Sequence, residues 1–263
     1  MTDAVADRDG LARGLTELGL SAGDVVLVHA SLGGTGLDAA VLRDALLTAV
    51  GPDGTLVVPA FTTENSDTST AHMRQVSGMT PTQAAAFRAT MPAFDPATTP
   101  CSGMGRLAES VRTARGAVRS THPQVSFAGL GRRAGELLSS HPLESHFGET
   151  SPLAALYRAR ARVLMINVGF SVCTAFHLAE YRTGSPPRSY RCVVHGANGA
   201  EWTEYKDVSL DDSDFAAIGE AFEGNREQKG QLGGTTARLF SIRDAVDHAV
   251  TWMTENRPQI DRR

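Results

Sequence analysis

Short apolar runs alternate with segments of helical periodicity along the first part of the chain. Leu11–Leu18 has apolar residues at helical spacing, and the β-branched run Val25–Val28 follows it after a turn. Leu37–Val50 then predicts a second helix, and Thr55–Pro59 predicts a second strand behind a Gly-Pro-Asp-Gly turn. This order of helix and strand is typical of a parallel α/β sheet.

The pattern changes over residues 62–102, which are polar and rich in proline. A loop excursion of this length inside a compact domain is more often functional than idle, so we expect it to form part of a substrate wall. The remaining pattern predicts a strand at Val125–Leu130, helices at Arg132–Ser139 and Pro152–Arg158, a strand at Val163–Val168, a hairpin of Arg191–Val194 with Trp202–Lys206, and helices at Asp211–Glu223 and Ile242–Met253. We expect one domain over residues 1–263.

Composition narrows the classes of function. The chain has 263 residues, of which 41% are hydrophobic and 21% are charged, as in ordinary globular proteins. A net charge of -4 and scattered arginines give no electrostatic footprint for nucleic acid. No apolar run approaches the roughly 18 residues of a membrane span, and the acidic start MTDAVADRDGLARGL is unlike a signal peptide. We expect a soluble, cytoplasmic protein without a membrane partner.

Three cysteines stand at Cys101, Cys173 and Cys192, and none has Cys-x-x-Cys spacing. Such usage suits a reducing compartment and offers neither a disulfide framework nor a thiolate zinc site.

The stretch Arg162–Tyr181 carries the clearest chemistry. Its apolar run ends at Gly169, and Thr174, His177 and Glu180 then follow at intervals of three. Residues three apart in a helix are neighbours on its surface, so these three side chains would share one face. A histidine near neutrality is most useful as a base when a second group fixes its tautomer and stabilises its charged form.

Two other polar segments stand beside predicted strands. Val28–Gly36 is rich in glycine and lies between the first strand and its helix, where free backbone N–H groups favour phosphate. Its glycine spacing fits neither the dinucleotide fingerprint nor a P-loop. The second segment, Val118–Ser126, places a guanidinium, hydroxyls and an imidazole before a strand. This set suits an anionic ligand that also bears amides.

Six segments together resemble a known family. VHASLGGTG, LLTAVGPDGTLVVPAFT, GAVRSTHPQVSFAGLG, FGETSPL, VLMINVG followed by CTAFHLAEYR, and RLFSIRDAVDHAVTWM are similar, in the same order, to segments of the aminoglycoside 3-N-acetyltransferase family. The resemblance covers nearly the whole chain. It implies a three-layer α/β/α fold with a mixed central sheet, different from the common acetyltransferase fold of histone and small-amine acetylation.

The resemblance also implies an acetyl-CoA-dependent N-acetyltransferase of the kind found in antibiotic resistance, acting on an aminoglycoside or a related small-molecule amine. The expected coenzyme A contacts are Ser31, Leu32, Gly33, Arg119, Ser120, His122 and Ser126. His177 with Glu180 matches the His-x-x-Glu of the family. His177 would be the general base, Glu180 would orient it, and Thr174 or a backbone N–H would bind the oxyanion. No metal is needed, and a homodimer is one candidate for the oligomeric state.

One departure from the family concerns the acceptor. The best-known aminoglycoside acetylators have His-Asp-Ser-Asn-Thr before the catalytic helix, where this chain has Phe170-Ser171-Val172-Cys173-Thr174. An arginine that usually precedes Met104 is also replaced, by Gly103. The acceptor side is expected to include Phe61, Glu64, Glu149, Phe170 and Ser171. With no acid at Ser171, we expect small or weakly cationic amines to be better acceptors than polycationic aminoglycosides.

Three alternatives stay open. Cys173 and His177 are four residues apart, so a thiolate–imidazole pair on one helix would make a covalent acyl-enzyme. A metal-dependent hydrolase would use His141, His146, His177 and Glu180 as ligands, although no pair of these histidines has the spacing of a helical zinc site. The third alternative is a ligand-binding protein without catalysis.

Overall fold

The computed structural model describes residues 7–197, 199–224 and 226–258. Its α-helices are α1 Arg8–Glu17, α2 Ala39–Val50, α3 Thr70–Gln75, α4 Pro81–Ala89, α5 Gly105–Arg112, α6 Ala134–Leu138, α7 Pro152–Arg158, α8 His177–Thr183, α9 Phe215–Phe222 and α10 Ile242–Asn256. Its strands are β1 Val25–Ala30, β2 Thr55–Pro59, β3 Val118–Arg119, β4 Phe127–Gly131, β5 Arg162–Ile166, β6 Pro187–Gly196, β7 Gly199–Val208, β8 Glu227–Leu232 and β9 Thr235–Ser241. Among the described helices, none is both long and apolar enough to cross a bilayer.

A seven-stranded sheet forms the centre, in the order β3-β4-β2-β1-β5-β9-β8. The three middle strands β2, β1 and β5 are parallel, and the strands outside them pair antiparallel to their neighbours. The predicted mixed sheet is confirmed. Because the parallel strands end at the same edge, the segments that follow β1, β2 and β5 meet there.

Alternating side chains of the middle strands enter two separate cores. Val26, Val28, Leu164 and Ile166 pack on one face with α1, α2 and α5. On the opposite face, Leu27, Val163 and Met165 pack with α6, α7, α9 and α10. A strand buried on both faces reads as a continuous apolar run, as VVLVHA does. The result is the predicted three-layer α/β/α architecture.

The polar excursion is more regular than its composition predicts. Residues 62–102 contain α3 and α4, whereas the sequence pattern predicted no helix there. Ser69 caps α3, and Thr80 with Gln83 forms a capping box around Pro81 at the start of α4. These local signals form helices although few apolar side chains accompany them.

The excursion packs against the hairpin of β6 and β7, which lies outside the main sheet. Asn65 Nδ2 donates to the carbonyl oxygen of Val193 at 3.0 Å, and Trp202 Nε1 donates to the carbonyl oxygen of Arg88 at 3.1 Å. Only the flanks of the excursion, Phe61 and Gly103–Gly105, reach the cavity described below. Its part in a substrate wall stays a prediction.

Candidate active site

A cavity of about 410 Å³ opens at the carboxyl ends of the parallel strands. This is the edge where open α/β sheets bind ligands. Its walls are mostly apolar and carry a few polar groups. The lining residues are Val28, His29, Ala30, Ser31, Val58, Pro59, Phe61, Gly103, Met104, Gly105, Leu107, Ala108, Val168, Ser171, Val172, Thr174, His177, Asp212 and Phe215.

His177 and Glu180 form a hydrogen-bonded pair on α8. Nδ1 of His177 lies 2.6 Å from Oε2 of Glu180, and the Glu180 side chain is fully buried. A carboxylate can only accept, so Nδ1 carries the proton. The other nitrogen, Nε2, has no hydrogen bond within the described residues, and the ring borders the cavity. It is therefore the nitrogen that can accept a proton.

The second oxygen of Glu180 is also occupied. Oε1 accepts from the backbone N–H of Asp211 at 2.7 Å and from Nη1 of Arg257 at 3.0 Å. Arg257 stands just past α10 and also pairs with Asp214 at 2.7 Å. With all three groups in place, the carboxylate has a fixed orientation and a nearby opposite charge.

Two aromatic rings fix the imidazole from its sides. Phe147 stacks on His177 with 4.6 Å between centroids and 6° between planes. Phe215 meets the same ring edge to face at a centroid distance of 4.7 Å. The hydrogen bond to Glu180 and these contacts together leave the ring little rotational freedom.

Thr174 lines the same cavity, one short turn before His177. The prediction of one helix that carries Thr174, His177 and Glu180 is wrong, because α8 begins at His177 and Thr174 lies in a separate 3₁₀ turn, Thr174–Phe176. Thr174 and His177 line the cavity, and Glu180 is buried behind His177. The backbone of Cys173, with φ -74° and ψ 89°, breaks the helix before that turn. The Thr174 hydroxyl has no hydrogen-bond partner in the described part of the chain, so it is available to a ligand.

The loop after β1 is tied to β5. The N–H of Ser31 donates to the carbonyl oxygen of Ile166 at 3.1 Å, and Nδ2 of Asn167 donates to the carbonyl oxygen of Ser31 at 2.9 Å. Asn167 has φ +53°, an uncommon conformation for a residue with a side chain. Ser31 reaches the cavity, whereas Leu32 is buried and Gly33 is exposed outside its lining.

The start of α2 is already capped. Asp38 accepts from the backbone N–H groups of Ala40 and Val41, both at 2.9 Å. A carboxylate thus occupies the helix N-terminus that the sequence offered as a phosphate site.

A glycine turn at the start of α5 forms another part of the wall. Gly105 has φ +85°, and a side chain there would meet the carbonyl oxygen of Ala30 at 3.4 Å. The turn can therefore approach the end of β1 closely, and Met104 also lines the cavity.

His29 lies beneath the cavity on β1. It is buried, its Nε2 has no partner among the residues described, and burial lowers its pKa to about 4. The imidazole is therefore neutral at pH 7 and adds no charge to the cavity.

The predicted coenzyme contacts Arg119, Ser120, His122 and Ser126 are not among the cavity-lining residues. Arg119 donates to the carbonyl oxygen of Ala60 at 2.7 Å and to Oγ of Ser126 at 2.9 Å. Its guanidinium also lies 4.9 Å from the ring centre of Phe94. Ser120 and His122 are fully buried. Arg119 also bonds to the excursion at the carbonyl oxygen of Thr99, whereas Ser120 bonds to His141, and His122 lies by the carbonyl oxygen of Leu143. The contact of these four residues with coenzyme A stays a prediction.

The predicted acceptor residues separate into two groups. Phe61 and Ser171 line the cavity, whereas Phe170 is buried in the core and packs on Phe176 and Phe240. Glu64 and Glu149 lie outside the lining. Oε1 of Glu149 is paired with Nε of Arg182 at 2.9 Å.

Cys173 has the wrong surroundings for a nucleophile. It is fully buried, it lies outside α8 and the cavity lining, and burial raises its pKa to about 12. A thiol with such a pKa is almost entirely protonated at neutral pH. The predicted common helix for Cys173 and His177 is wrong, because the backbone of Cys173 is not helical and α8 begins only at His177.

The histidines of the metallohydrolase alternative are used in a separate buried network. His146 binds Asp207 through Nδ1 at 2.6 Å, and His141 binds Ser120 Oγ through Nδ1 at 2.9 Å. Within residues 7–197, 199–224 and 226–258, no group of three or more His, Cys, Asp or Glu side chains could hold a metal ion. His141 and His146 therefore do not form a cluster of metal ligands with His177 and Glu180.

Sequence reasoning missed three residues of the site. Phe147 begins the segment FGETSPL, which resembles the family, but nothing in that segment indicates a contact with His177. Asp212 belongs to an acidic stretch that the pattern assigned to a helix, whereas α9 begins only at Phe215. Arg257 gives no local signal, since it is 77 positions from Glu180.

Comparison with known proteins gives consistent matches. The sequence pattern of the family described as aminoglycoside 3-N-acetyltransferase matches residues 27–254. The SPbeta prophage-derived aminoglycoside N(3')-acetyltransferase-like protein YokD of Bacillus subtilis is 35% identical over 260 residues, which cover 95% of this chain and 93% of that protein. The aminoglycoside N(3)-acetyltransferase VII of Streptomyces paromomycinus is 33% identical, with 97% and 93% covered.

Solved structures agree with these sequence matches. The crystal structure of YokD superposes with a TM-score of 0.89 at 33% identity, covering 96% of this chain and 95% of that one. A structure of AAC-IIIb in a binary complex with CoASH superposes with a TM-score of 0.83 at 28% identity, covering 98% and 100%.

Proposed function

Because this chain belongs to the aminoglycoside 3-N-acetyltransferase family, we propose that it moves the acetyl group of acetyl-CoA directly to an amine of an aminoglycoside or a related amine, with His177 as general base. The observation that carries the mechanism is the pair of His177 and Glu180, with Nδ1 bound and Nε2 left to the cavity. Coenzyme A as the acyl carrier is supported by the AAC-IIIb complex with CoASH.

His177 takes the proton that amide formation releases. An aliphatic amine is mostly protonated at neutral pH, and the reacting molecule is the neutral form, whose extra proton has gone to solvent. As the new C–N bond forms at the thioester carbonyl, the attacking nitrogen gives a further proton to Nε2 of His177. Glu180 accepts the hydrogen bond from Nδ1 and stabilises the imidazolium.

Thr174 serves the second step. Negative charge develops on the carbonyl oxygen, and the free Thr174 hydroxyl at the cavity wall is suited to donate to it. Collapse then breaks the C–S bond, and the departing thiolate takes the proton back from His177. The products are an amide and free coenzyme A, and His177 returns to its neutral form.

The cavity suits the reacting end of acetyl-CoA. Val28, Val58 and Leu107 provide apolar wall for a pantetheine arm. Ser31 and the glycine turn Gly103–Gly105 bring backbone close to the same space. Arg119 lies outside this wall and is partly exposed, so it would contact only a part of the coenzyme that extends beyond the wall. The side chains of Ser120, His122 and Ser126 are fully buried.

A thiol-release assay tests the proposal. The enzyme is mixed with acetyl-CoA and an aminoglycoside, and released coenzyme A is measured with a thiol reagent. Cys101, Cys173 and Cys192 are all buried, so the protein itself contributes little background. We expect release that depends on the amine, and an acetylated product by mass spectrometry.

Two variants then separate the mechanisms. His177→Ala should lower kcat by about 10²–10⁴-fold with nearly unchanged affinity for coenzyme A, whereas the exposed-site control His195→Ala should keep full activity. Cys173→Ala should keep most of the activity. Near-normal turnover in His177→Ala would refute the assignment, and an acyl-cysteine seen by intact mass would support the covalent route instead.

A further inference from the structure

The charges of the cavity wall are few. Three of its residues have ionisable side chains: His29, His177 and Asp212. His29 is neutral because of its burial, and the proton of His177 Nδ1 is bound to Glu180. Among the described lining residues, Asp212 is therefore the single source of fixed negative charge that a ligand can touch.

The Asp212 carboxylate is also unused by the fold. Its neighbours have partners: the Asp211 carboxylate accepts from the N–H of Ser213 at 3.0 Å, and Asp214 pairs with Arg257. Asp212 has no side-chain hydrogen bond or ion pair in the parts of the chain that the structure describes. Its side chain is exposed and borders the cavity beside Phe215.

The backbone that carries Asp212 is nevertheless fixed. On one side, the N–H of Asp211 donates to Oε1 of Glu180 at 2.7 Å, and the Asp211 carbonyl oxygen accepts from Nη2 of Arg257 at 2.7 Å. On the other side, the carbonyl oxygen of Asp212 accepts from the N–H of Phe215 at 3.2 Å. The same groups that orient the catalytic base thus hold the Asp212 segment against it.

We propose that Asp212 is the acceptor-recognising carboxylate of this enzyme, which binds one non-reacting ammonium of the amine substrate while another amine lies at His177. This inference rests on the proposed function. A carboxylate gives a protonated amine a charge-assisted hydrogen bond, and the two acids that the sequence analysis predicted for this role, Glu64 and Glu149, lie outside the cavity lining. One carboxylate recognises one ammonium, so the site fits acceptors with two suitably spaced amines and gains little from further charges.

A cycle of protein and ligand changes tests the proposal. The acceptors are 2-deoxystreptamine, which has two amines, and its analogue with a hydroxyl in place of one amine. The variants are Asp212→Asn and the control Glu220→Gln, which removes an exposed charge from α9. Asp212→Asn should raise the acceptor KM about tenfold for the diamine and less than threefold for the monoamine, with kcat and the KM for acetyl-CoA nearly unchanged. Asp212→Glu should restore part of the affinity.

An equal rise of KM for the diamine and the monoamine in Asp212→Asn would overturn the proposal. An equal rise of KM in Glu220→Gln would overturn it too, because the general negative charge of this surface would then explain the effect. Melting temperatures check that Asp212→Asn is folded, as expected for an exposed side chain. If the wild type acetylates no amine, the proposed function fails by itself. Calorimetric titration of the wild type and Asp212→Asn with tobramycin then tests the role of Asp212. Weaker binding to the variant would support the role, and equal affinities or no binding to the wild type would refute it.

Discussion

The imidazole of His177 lies flat against the ring of Phe147, with 4.6 Å between their centroids. The N–H of Phe147 also donates to the hydroxyl of Tyr181 at 3.2 Å, which fixes the ring from the backbone side. The hydrogen bond to Glu180 fixes the rotation of the imidazole within its plane, and stacking on Phe147 fixes the orientation of that plane. The orientation of Nε2 therefore depends on both Glu180 and Phe147.

Phe147→Leu should lower kcat about tenfold while the KM for each substrate changes little, because the base loses its orientation and the binding walls stay intact. Phe222→Leu is the matched control, since Phe222 is equally buried but contacts Phe170 and Phe240 instead of His177. Steady-state kinetics and thermal melts of both variants check this. Equal losses of kcat would show a general packing effect.

Thr174→Val keeps the size of the side chain and removes its hydroxyl. Loss of one oxyanion donor should lower kcat about 10- to 100-fold with little change in either KM, and Thr174→Ser should keep most of the activity. Initial rates at saturating substrates measure the effect. If the valine variant turns over normally, the donor is a backbone N–H and Thr174 has no direct role.

Arg257→Ala should lower kcat about tenfold and reduce the free energy of unfolding by about 3 kcal/mol, because the buried carboxylate of Glu180 loses its cation. Arg257→Lys should recover part of both. The control is Arg243→Ala at the start of α10, where the guanidinium binds the carbonyl oxygens of Tyr157 and Arg158 and does not touch Glu180. A stable but fully active Arg257→Ala would contradict the positioning role.

Arg119→Ala distinguishes a structural from a coenzyme-binding role. The guanidinium donates to the carbonyl oxygens of Ala60 and Thr99 and to Ser126, so we expect a loss of about 2–4 kcal/mol in the free energy of unfolding. Urea unfolding measures it. A contact with coenzyme A predicts in addition a raised KM for acetyl-CoA at temperatures where the variant is folded. Unchanged KM would exclude Arg119 from the coenzyme site.

Stability should fall as the pH drops below about 6.5. Burial lowers the pKa of His141 to about 3 and also lowers the pKa of His122 and His146. Unfolded histidines titrate near pH 6.5, so below that pH the unfolded chain binds more protons, and the loss for His141 is complete only near pH 3. Between pH 6.5 and 5, His141 alone should account for about 2 kcal/mol.

Urea unfolding of wild type and His141→Asn at pH 7.5 and pH 5 checks this expectation. The variant should lose about 2 kcal/mol less than the wild type between the two pH values. His195→Asn, an exposed position on β6, should behave as the wild type does. An identical pH dependence in all three proteins would exclude His141 as a source of acid sensitivity.

Local patterns predicted much of the fold. Thr55–Pro59 and Pro152–Arg158 have the bounds that the sequence indicated, and the family resemblance, the acetyltransferase class and the three-layer architecture are confirmed. Strands β8 and β9 were both missed. β8 reads Glu-Gln-Lys-Gly-Gln-Leu and lies at an exposed edge of the sheet. An edge strand needs only one partner and little apolar surface, so periodicity does not reveal it.

The site divides in the same way. His177 and Glu180 are three residues apart, so helical geometry alone predicted their contact. Phe147, Asp212 and Arg257 reach them only through the tertiary fold, and no spacing rule links such distant positions. The segment Arg119–Ser126 shows the converse: polar residues near a strand end suggested a ligand, but their hydrogen bonds are to the protein itself.

The bond between Arg257 and Glu180 also sets an order in time. A ribosome that has released the chain only through β8 has already made Thr174, His177 and Glu180. Such a chain still lacks β9, which pairs with the free edge of β5, and it lacks Arg257, whose guanidinium pairs with Glu180. Until then the carboxylate would be buried without a cation, which is costly. The arrangement around His177 is therefore complete only once the chain has been made through Arg257, 77 residues after Glu180.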